Sequence, residues 1–124
     1  MVIDTRPPPT EQFQTSTLYQ CFLGDVIDIT DGFDPVCLEL MTDMASDAHG
    51  LSFTYCLPFS PHQALVEMTR FSPHPVDWAV LEDDLQALKA RRGWLDAPIQ
   101  RTERGQLPMG MSPRQATDTG YVYA

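Results

Sequence analysis

Alternation of apolar and small polar side chains predicts a β-hairpin in the middle of the chain. Residues 51–58 alternate large apolar residues with Ser, Thr and Cys, which is the period of a β-strand. Phe59 to Gln63 contains Pro and Ser and predicts the turn, and alternation resumes over 64–71. This phasing places Glu67 on the same face as apolar neighbours and Arg70 on the opposite face.

Three further strands complete the predicted sheet, at 18–29, 36–44 and 98–108. The first is rich in β-branched and aromatic residues, and Gly24 within it marks a bulge or a close approach of neighbouring backbone. Because only one helix is available for crossover connections, we expect a mostly antiparallel sheet and an α+β fold class.

One amphipathic helix is predicted near 76–92, where apolar residues change to helical spacing. Asp77 near its start and Gly93 just past its end match the helix dipole and a C-cap. The residues expected to pack inward are Trp78, Leu81, Leu85 and Leu88. Those expected to face water are Glu82, Asp83, Asp84, Lys89 and Arg91.

Composition and charge narrow the class of protein. The 124 residues, 43% of them hydrophobic, fit a single globular domain over 1–124. Seventeen acidic and eight basic residues give a net charge of -9, which argues against a nucleic-acid partner because phosphate binding needs a clustered basic surface. No apolar run approaches the roughly 20 residues of a membrane span, so we expect membrane contact to be peripheral at most.

Cysteine and histidine spacing gives no support for a metal site or a disulfide framework. Cys21, Cys37 and Cys56 lie in apolar strand-like runs, which predicts buried free thiols in a reducing, cytoplasmic compartment. The histidines show no ligand spacing with them, so no metal is expected. Gly-x-Ser-x-Gly, Cys-x-x-Cys, His-Glu-x-x-His and Gly-rich phosphate motifs are absent from the sequence, so hydrolase, kinase and zinc-enzyme functions have no support.

Glu67 is the candidate with the most distinctive chemistry. A carboxylate at the centre of an apolar strand is poorly solvated, so its pKa is expected to rise. Such an acid can hold a proton near neutral pH and deliver it to a weak base such as a carbon–carbon double bond. On the residues alone, the alternative stays open that this face is solvated and Glu67 is an ordinary strand carboxylate, as most Glu residues are.

Several segments, in order along the chain, resemble the lycopene cyclase family of flavoproteins. The most specific are Phe53-x-Tyr-x-Leu-Pro-Phe-Ser60 and Leu65-Val-Glu-x-Thr69, which combine strand pattern, turn and acid. Leu40-Met41 matches the start of the family's Leu-Met-Asp, although Thr42 takes the acid position and Asp43 follows it. The other matching segments are Val2-Ile-Asp-Thr-Arg6, Tyr19-Gln-Cys-Phe-Leu-Gly24, Glu103-x-Gly-x-Leu-Pro-Met109 and Gly120 to Ala124.

The resemblance implies a substrate-binding domain like that of flavoprotein cyclases and hydroxylases. The chain is then expected to be the middle portion of a larger enzyme, with 1–17 as a linker from a flavin-binding part and 109–124 as the connection back to it. FAD is the implied cofactor and Arg6 the implied cofactor-binding residue. We do not expect this chain alone to hold FAD, since a Gly-rich turn at a helix N-terminus is absent from its sequence.

The reaction implied by the resemblance is acid-catalysed cyclisation of a linear carotene. In related cyclases an acid protonates the terminal double bond of lycopene, the internal double bond attacks the cation, and a proton leaves to give a β-ring. Glu67 lies at the position of the family's proposed acid, Met68 stands where several members carry a second acid, and Asp43 is the second catalytic candidate. The substrate-binding candidates are Phe53, Tyr55, Leu65, Thr69 and Phe71.

Two functions remain open at this point. The chain is a fragment or divergent member of the carotenoid cyclases, inactive in isolation, or it is a noncatalytic module or a part of another flavoprotein such as a prenyl reductase or aromatic hydroxylase. A hydrophobic polyene is the expected partner in the first case. An interface left uncovered by separation from a parent enzyme also favours a homo-oligomer.

Overall fold

The computed structural model describes residues 2–4, 18–30, 32–110 and 121–123 of the chain. Its elements are β1 (Val2–Asp4), β2 (Leu18–Asp28), β3 (Glu39–Asp47), β4 (Gly50–Ser60), β5 (Gln63–Ser72), α1 (Trp78–Arg92), β6 (Ile99–Met109) and β7 (Tyr121–Tyr123). The fold class is α+β with a mostly antiparallel sheet, as the sequence predicts.

Five strands form the main sheet, in the order β3-β4-β5-β2-β6, and every neighbouring pair is antiparallel. The strand β2 lies between β5 and β6, and residues on both of its faces are buried from Leu23 to Ile27. The short strands β1 and β7 pair with each other in parallel as a separate sheet.

The predicted hairpin is confirmed, with a tighter turn than expected. The strands β4 and β5 continue to Ser60 and Gln63, which leaves only Pro61 and His62 in the turn. Tyr55 is paired with Glu67, so the phasing of the acid is also confirmed. Side chains of the five-stranded sheet therefore divide between a face that packs against α1, the helix face, and the opposite one, the Glu67 face.

The hydrophobic core lies between the helix face and α1. Leu81, Leu85 and Leu88 are buried there as predicted, whereas Trp78 is half-buried at the edge of the core beneath the guanidinium of Arg104. The other buried members of this core are Tyr19, Cys21, Leu23, Ile27, Phe33, Cys56, Ala64, Val66, Met68 and Val76.

The predicted C-cap of α1 is present, and Asp77, which was expected to complement the helix dipole, is its N-cap. The Asp77 carboxylate accepts a hydrogen bond of 3.1 Å from the Ala79 N–H, and Gly93 ends the helix in the left-handed region at φ 73°. A residue with a side chain is strained at that φ, which accounts for glycine there. At 15 residues, and with charged side chains along it, this helix is too short and too polar to cross a bilayer, and no other described helix could do so.

The expectation that Lys89 faces water is wrong. Its side chain lies inside the core, only 1% exposed, and its ammonium donates a 2.9 Å hydrogen bond to Asp25, which is 4% exposed. Asp25 also accepts a 2.7 Å hydrogen bond from the Thr102 hydroxyl. A long lysine stem can cross apolar surface to reach a buried carboxylate, and helical spacing alone does not reveal that partner.

Asp84, which was also expected to face water, is only partly exposed and binds Arg70. The guanidinium of Arg70 donates to Asp84 at 2.5 and 3.0 Å and to Asp47 at 2.7 and 3.0 Å. Arg70 is buried on the helix face, so these two carboxylates compensate a charge that would otherwise lie unpaired.

Two further expectations are corrected near β3. This strand begins at Glu39 instead of 36, because the backbone N–H groups of Val36 and Cys37 are turned toward Asp34. Cys37 consequently lies in an exposed loop, whereas Cys21 and Cys56 are buried as expected. Burial raises the pKa of the Cys56 thiol to about 11, so that thiol stays protonated near neutral pH.

Replacing Lys89 by Met tests the buried ion pair. We expect Lys89→Met to lower the free energy of unfolding by about 3–5 kcal/mol, because it leaves the buried Asp25 without its compensating charge. Urea denaturation followed by circular dichroism measures the loss. The double variant Lys89→Met with Asp25→Asn should regain much of that stability, and an additive further loss would contradict the assignment.

Candidate functional site

The site is a row of four residues across the Glu67 face. Tyr55 on β4 is opposite Glu67 on β5, Glu67 is opposite Gly24 on β2, and Gly24 is opposite Glu103 on β6. The row therefore contains two carboxylates separated by a strand position that carries no side chain. Residues directly opposite on adjacent antiparallel strands lie within interaction distance, and the two carboxylates are two strands apart in the same row.

Glu67 is half-buried among apolar neighbours, and the Thr69 hydroxyl donates a 2.8 Å hydrogen bond to its Oε1 atom. Burial raises the pKa of Glu67 above the ordinary value, the Thr69 hydrogen bond partly opposes this, and the negative charge of Glu103 adds to the rise. The expected elevation of the pKa is thus confirmed. A larger fraction of Glu67 than of a solvated glutamate is therefore protonated, and able to donate, near neutral pH.

Aromatic rings form the apolar part of the Glu67 face. Phe53 is fully buried and packs edge-on against Tyr55 and Phe71, with ring centroids 5.5 and 5.0 Å away. Leu65 and Thr69 are also buried, while Tyr55 and Phe71 are half-buried. All five predicted substrate-binding residues therefore share the face of Glu67, and their contact with a substrate stays a prediction.

Gly24 allows the Glu67 side chain to lie close to β2. A Cβ atom at position 24 would lie 2.9 Å from the Glu67 Cβ and 3.1 Å from Leu65 Cδ1. The predicted close approach at Gly24 is confirmed, while the irregularity of β2 lies farther along, between Val26 and Ile27. Any larger residue at position 24 must displace Glu67 or Leu65.

The structure does not bring Asp43 to Glu67. Asp43 lies on β3 at φ 53° and forms ion pairs with Arg91 and Arg92 at 3.2 and 3.7 Å. These arginines belong to the last turn of α1, so the Asp43 carboxylate is directed to the helix side. The pairing of β3 with β4 contains two register shifts. Simple alternation along β3 therefore does not predict the face on which Asp43 lies.

Three residues on the Glu67 face were not predicted as functional. Phe22 lies on the Glu67 face, where its ring covers Gly105, and Glu103 and Arg101 lie on β6 on the same face. The signal for Glu103 was its place in the segment Glu103-x-Gly-x-Leu-Pro-Met109, but its proximity to Glu67 follows only from the strand order. The predicted cofactor residue Arg6 lies outside the described residues.

Comparison with known proteins identifies the family. The family model described as "Lycopene cyclase protein" matches residues 1–123. This chain belongs to the lycopene cyclase family. A lycopene beta-cyclase of Paracoccus sp. (strain N81106 / MBIC 01143) is 36% identical over 100 residues, which cover 76% of the chain and 24% of that relative.

A second cyclase gives the same picture. The lycopene beta-cyclase of Pseudescherichia vulneris is 31% identical over 112 residues, covering 90% of the chain and 29% of the relative. The chain thus matches 24% and 29% of the length of these two curated relatives. No solved structure matches it.

Among the described residues, the start of α1 does not fit the pyrophosphate of the FAD that resemblance to lycopene cyclases implies. The pyrophosphate of a dinucleotide is usually held by free N–H groups at a helix N-terminus. At the start of α1 the Asp77 carboxylate already accepts the Ala79 N–H, so a pyrophosphate would meet a negative charge there. Within 2–4, 18–30, 32–110 and 121–123, no cluster of three His, Cys, Asp or Glu residues could hold a metal ion.

Removing the Thr69 hydroxyl tests how Glu67 is tuned. Thr69→Val keeps the shape of the buried side chain and deletes a donor that favours the charged carboxylate, so the pKa of Glu67 should rise further. Carbon-13 NMR titration of the glutamate carboxyls measures the midpoint.

The matched control for this measurement is Thr54→Val. Thr54 is equally buried, but it lies on the helix face, where its hydroxyl contacts Met68 Sδ at 3.3 Å. That variant should leave the midpoint of Glu67 unchanged. A fall in the midpoint in Thr69→Val would show that the hydrogen bond does not stabilise the carboxylate.

Proposed function

We propose that this chain forms the part of a lycopene cyclase that delivers a proton to the end group of a linear carotene, with Glu67 as the acid. The observation that carries the proposal is a half-buried glutamate with a raised pKa in the middle of an aromatic sheet face. Family membership supplies the class of reaction. Neither the geometry nor the comparisons favour the noncatalytic module as an alternative.

The proposed reaction begins with proton transfer from Glu67 to the terminal double bond. The new C–H bond leaves a tertiary carbocation, which the internal double bond attacks to close a ring, and a second carbon then loses a proton. An alkene is a very weak base, so the donor must be poorly solvated and held close to it. The apolar neighbours of Glu67 reduce its solvation, as the first of these requirements demands.

The half-buried rings of Tyr55 and Phe71 are suited to the cationic stage of this reaction. Aromatic faces attract a nearby positive charge, most strongly where water is excluded. Edge-on packing against Phe53 holds both rings in place at centroid distances of 5.5 and 5.0 Å. In the proposed complex the polyene lies along this face, with its end group beside Glu67.

Some other properties of the enzyme stay predictions. FAD, if the enzyme uses it, is proposed to be held by residues other than the described ones, since those do not fit its pyrophosphate. Peripheral membrane contact and self-association also stay predictions. Exposed apolar side chains before and along β3 offer surface for either, namely those of Val36, Leu38, Leu40, Met41 and Met44.

Replacing Glu67 by Gln tests the role of the acid. Glu67→Gln keeps shape and polarity but removes the titrating proton, so formation of ringed carotene should fall by at least about hundredfold. The measurement is chromatography of pigments from lycopene-accumulating bacteria that express the protein carrying this chain.

The control for this substitution is Glu82→Gln, which makes the same chemical change at an exposed position of α1. It should leave cyclisation unchanged. Near-normal cyclisation in Glu67→Gln would refute the proposal, and loss of cyclisation in Asp43→Asn alone would transfer the role to Asp43.

Folding stability gives an independent prediction for the same variant. The pKa of Glu67 is raised in the folded state, so its ionisation destabilises the fold as the pH increases through and beyond its ordinary value. Glu67→Gln should therefore be more stable than the parent at neutral and higher pH, and this difference should shrink on acidification. Thermal unfolding at pH 8 and pH 4 measures it, and a variant less stable than the parent at pH 8 would contradict the assigned environment.

A further inference from the structure

A second carboxylate lies on the same face, one strand beyond the acid. Glu103 on β6 is opposite Gly24 on β2, and Gly24 is opposite Glu67. Two strand spacings separate the backbones of the two acids by about 10 Å. Since position 24 has no side chain, nothing from β2 stands between the two carboxylates within this row.

The surroundings of the two carboxylates differ. Glu103 forms an ion pair with Arg101 at 2.5 Å. Glu67 has a hydrogen bond from the Thr69 hydroxyl but no ion pair with any basic residue in the described part of the chain. The charge of Glu103 also contributes to the raised pKa of Glu67, so the two groups interact. The two carboxylates thus share a face but differ in partners, because Glu103 has a cation beside it and Glu67 has a neutral hydroxyl.

The proposed cyclisation requires both functions on one face. One carbon gains a proton at the start of the reaction, and a different carbon loses one at the end. The reaction gains and loses no proton overall. The carbon that loses a proton is not the carbon that gained one, so contact between Glu67 and the first carbon does not place Glu67 beside the second. A second carboxylate on the same face can act as the acceptor of the proton that leaves.

We propose that Glu103 is the base that completes the reaction begun by Glu67. In this step the C–H bond next to the ring cation breaks, its electron pair forms the ring double bond, and the proton binds the Glu103 carboxylate. The proton then passes to the Glu67 carboxylate, directly or through water, which restores both starting states. This inference rests on the proposed function and assigns its second proton transfer.

Product analysis tests this role. Glu103→Gln removes the base and should lower the yield of ringed carotene by about hundredfold. The ring isomers that still form should differ in double-bond position, because the cation loses its proton to another acceptor. Glu103→Asp keeps the carboxylate and should retain part of the activity, whereas Glu82→Gln, the control on α1, should change neither yield nor isomer ratio.

NMR titration supplies a measurement that needs no turnover. Glu103→Gln should lower the titration midpoint of Glu67, because a neighbouring negative charge is lost. Arg101→Gln should raise the same midpoint, because it removes the cation paired with Glu103. Arg101 is 61% exposed, so this variant is expected to fold.

The outcomes separate this inference from the proposed function. If Glu67→Gln abolishes cyclisation while Glu103→Gln leaves both the yield and the isomer ratio unchanged, the role of Glu103 is refuted and that of Glu67 stands. If cyclisation survives in Glu67→Gln, the proposed function fails first. Unchanged midpoints in both Glu103→Gln and Arg101→Gln would show that the two acids do not interact, which would overturn the inference without any activity measurement.

Discussion

Two consecutive residues of β2, Gly24 and Asp25, determine where the acid and α1 lie on the sheet. Gly24 and Asp25 point to opposite faces of β2, as successive strand residues must. Gly24 gives the Glu67 side chain its place, and Asp25 binds the buried ammonium of Lys89. A slip of one residue in the pairing would exchange them, placing a carboxylate against Glu67 and leaving Lys89 without its partner. The position of α1 and the position of the acid therefore depend on one register.

Charge is divided unequally between the two faces. On the helix side, Arg70 binds Asp47 and Asp84, and Arg92 binds Glu39. These pairs compensate charges that α1 partly buries. On the Glu67 face, the described basic residue is Arg101, and it binds Glu103. Glu67 is consequently a half-buried acid with a negative neighbour and no cation of its own among the described residues, which is the electrostatic reason that its pKa rises.

Local sequence patterns correctly predicted the structural features that depend on residues close in sequence. The alternation of side chains along β4 and β5 predicted the face on which Glu67 lies. The spacing of Leu81, Leu85 and Leu88 predicted the side of α1 that is buried. Interactions across strands were not predictable in the same way. The burial of Lys89 requires Asp25, which is 64 residues away in sequence, and the facing of Asp43 depends on irregular pairing of β3.

Position 68 shows what the strand geometry means for a mechanism with two acids. The resemblance to lycopene cyclases places a second acid of several members at this position, where the present chain has Met68. Met68 lies on the helix face, buried, with its sulfur accepting from the Thr54 hydroxyl at 3.3 Å. A carboxylate there would point away from Glu67, because adjacent strand residues face opposite sides. Met68 therefore leaves the composition of the Glu67 face unchanged, and the second carboxylate in the row of Glu67 is Glu103 of β6, to which we assign the proposed base.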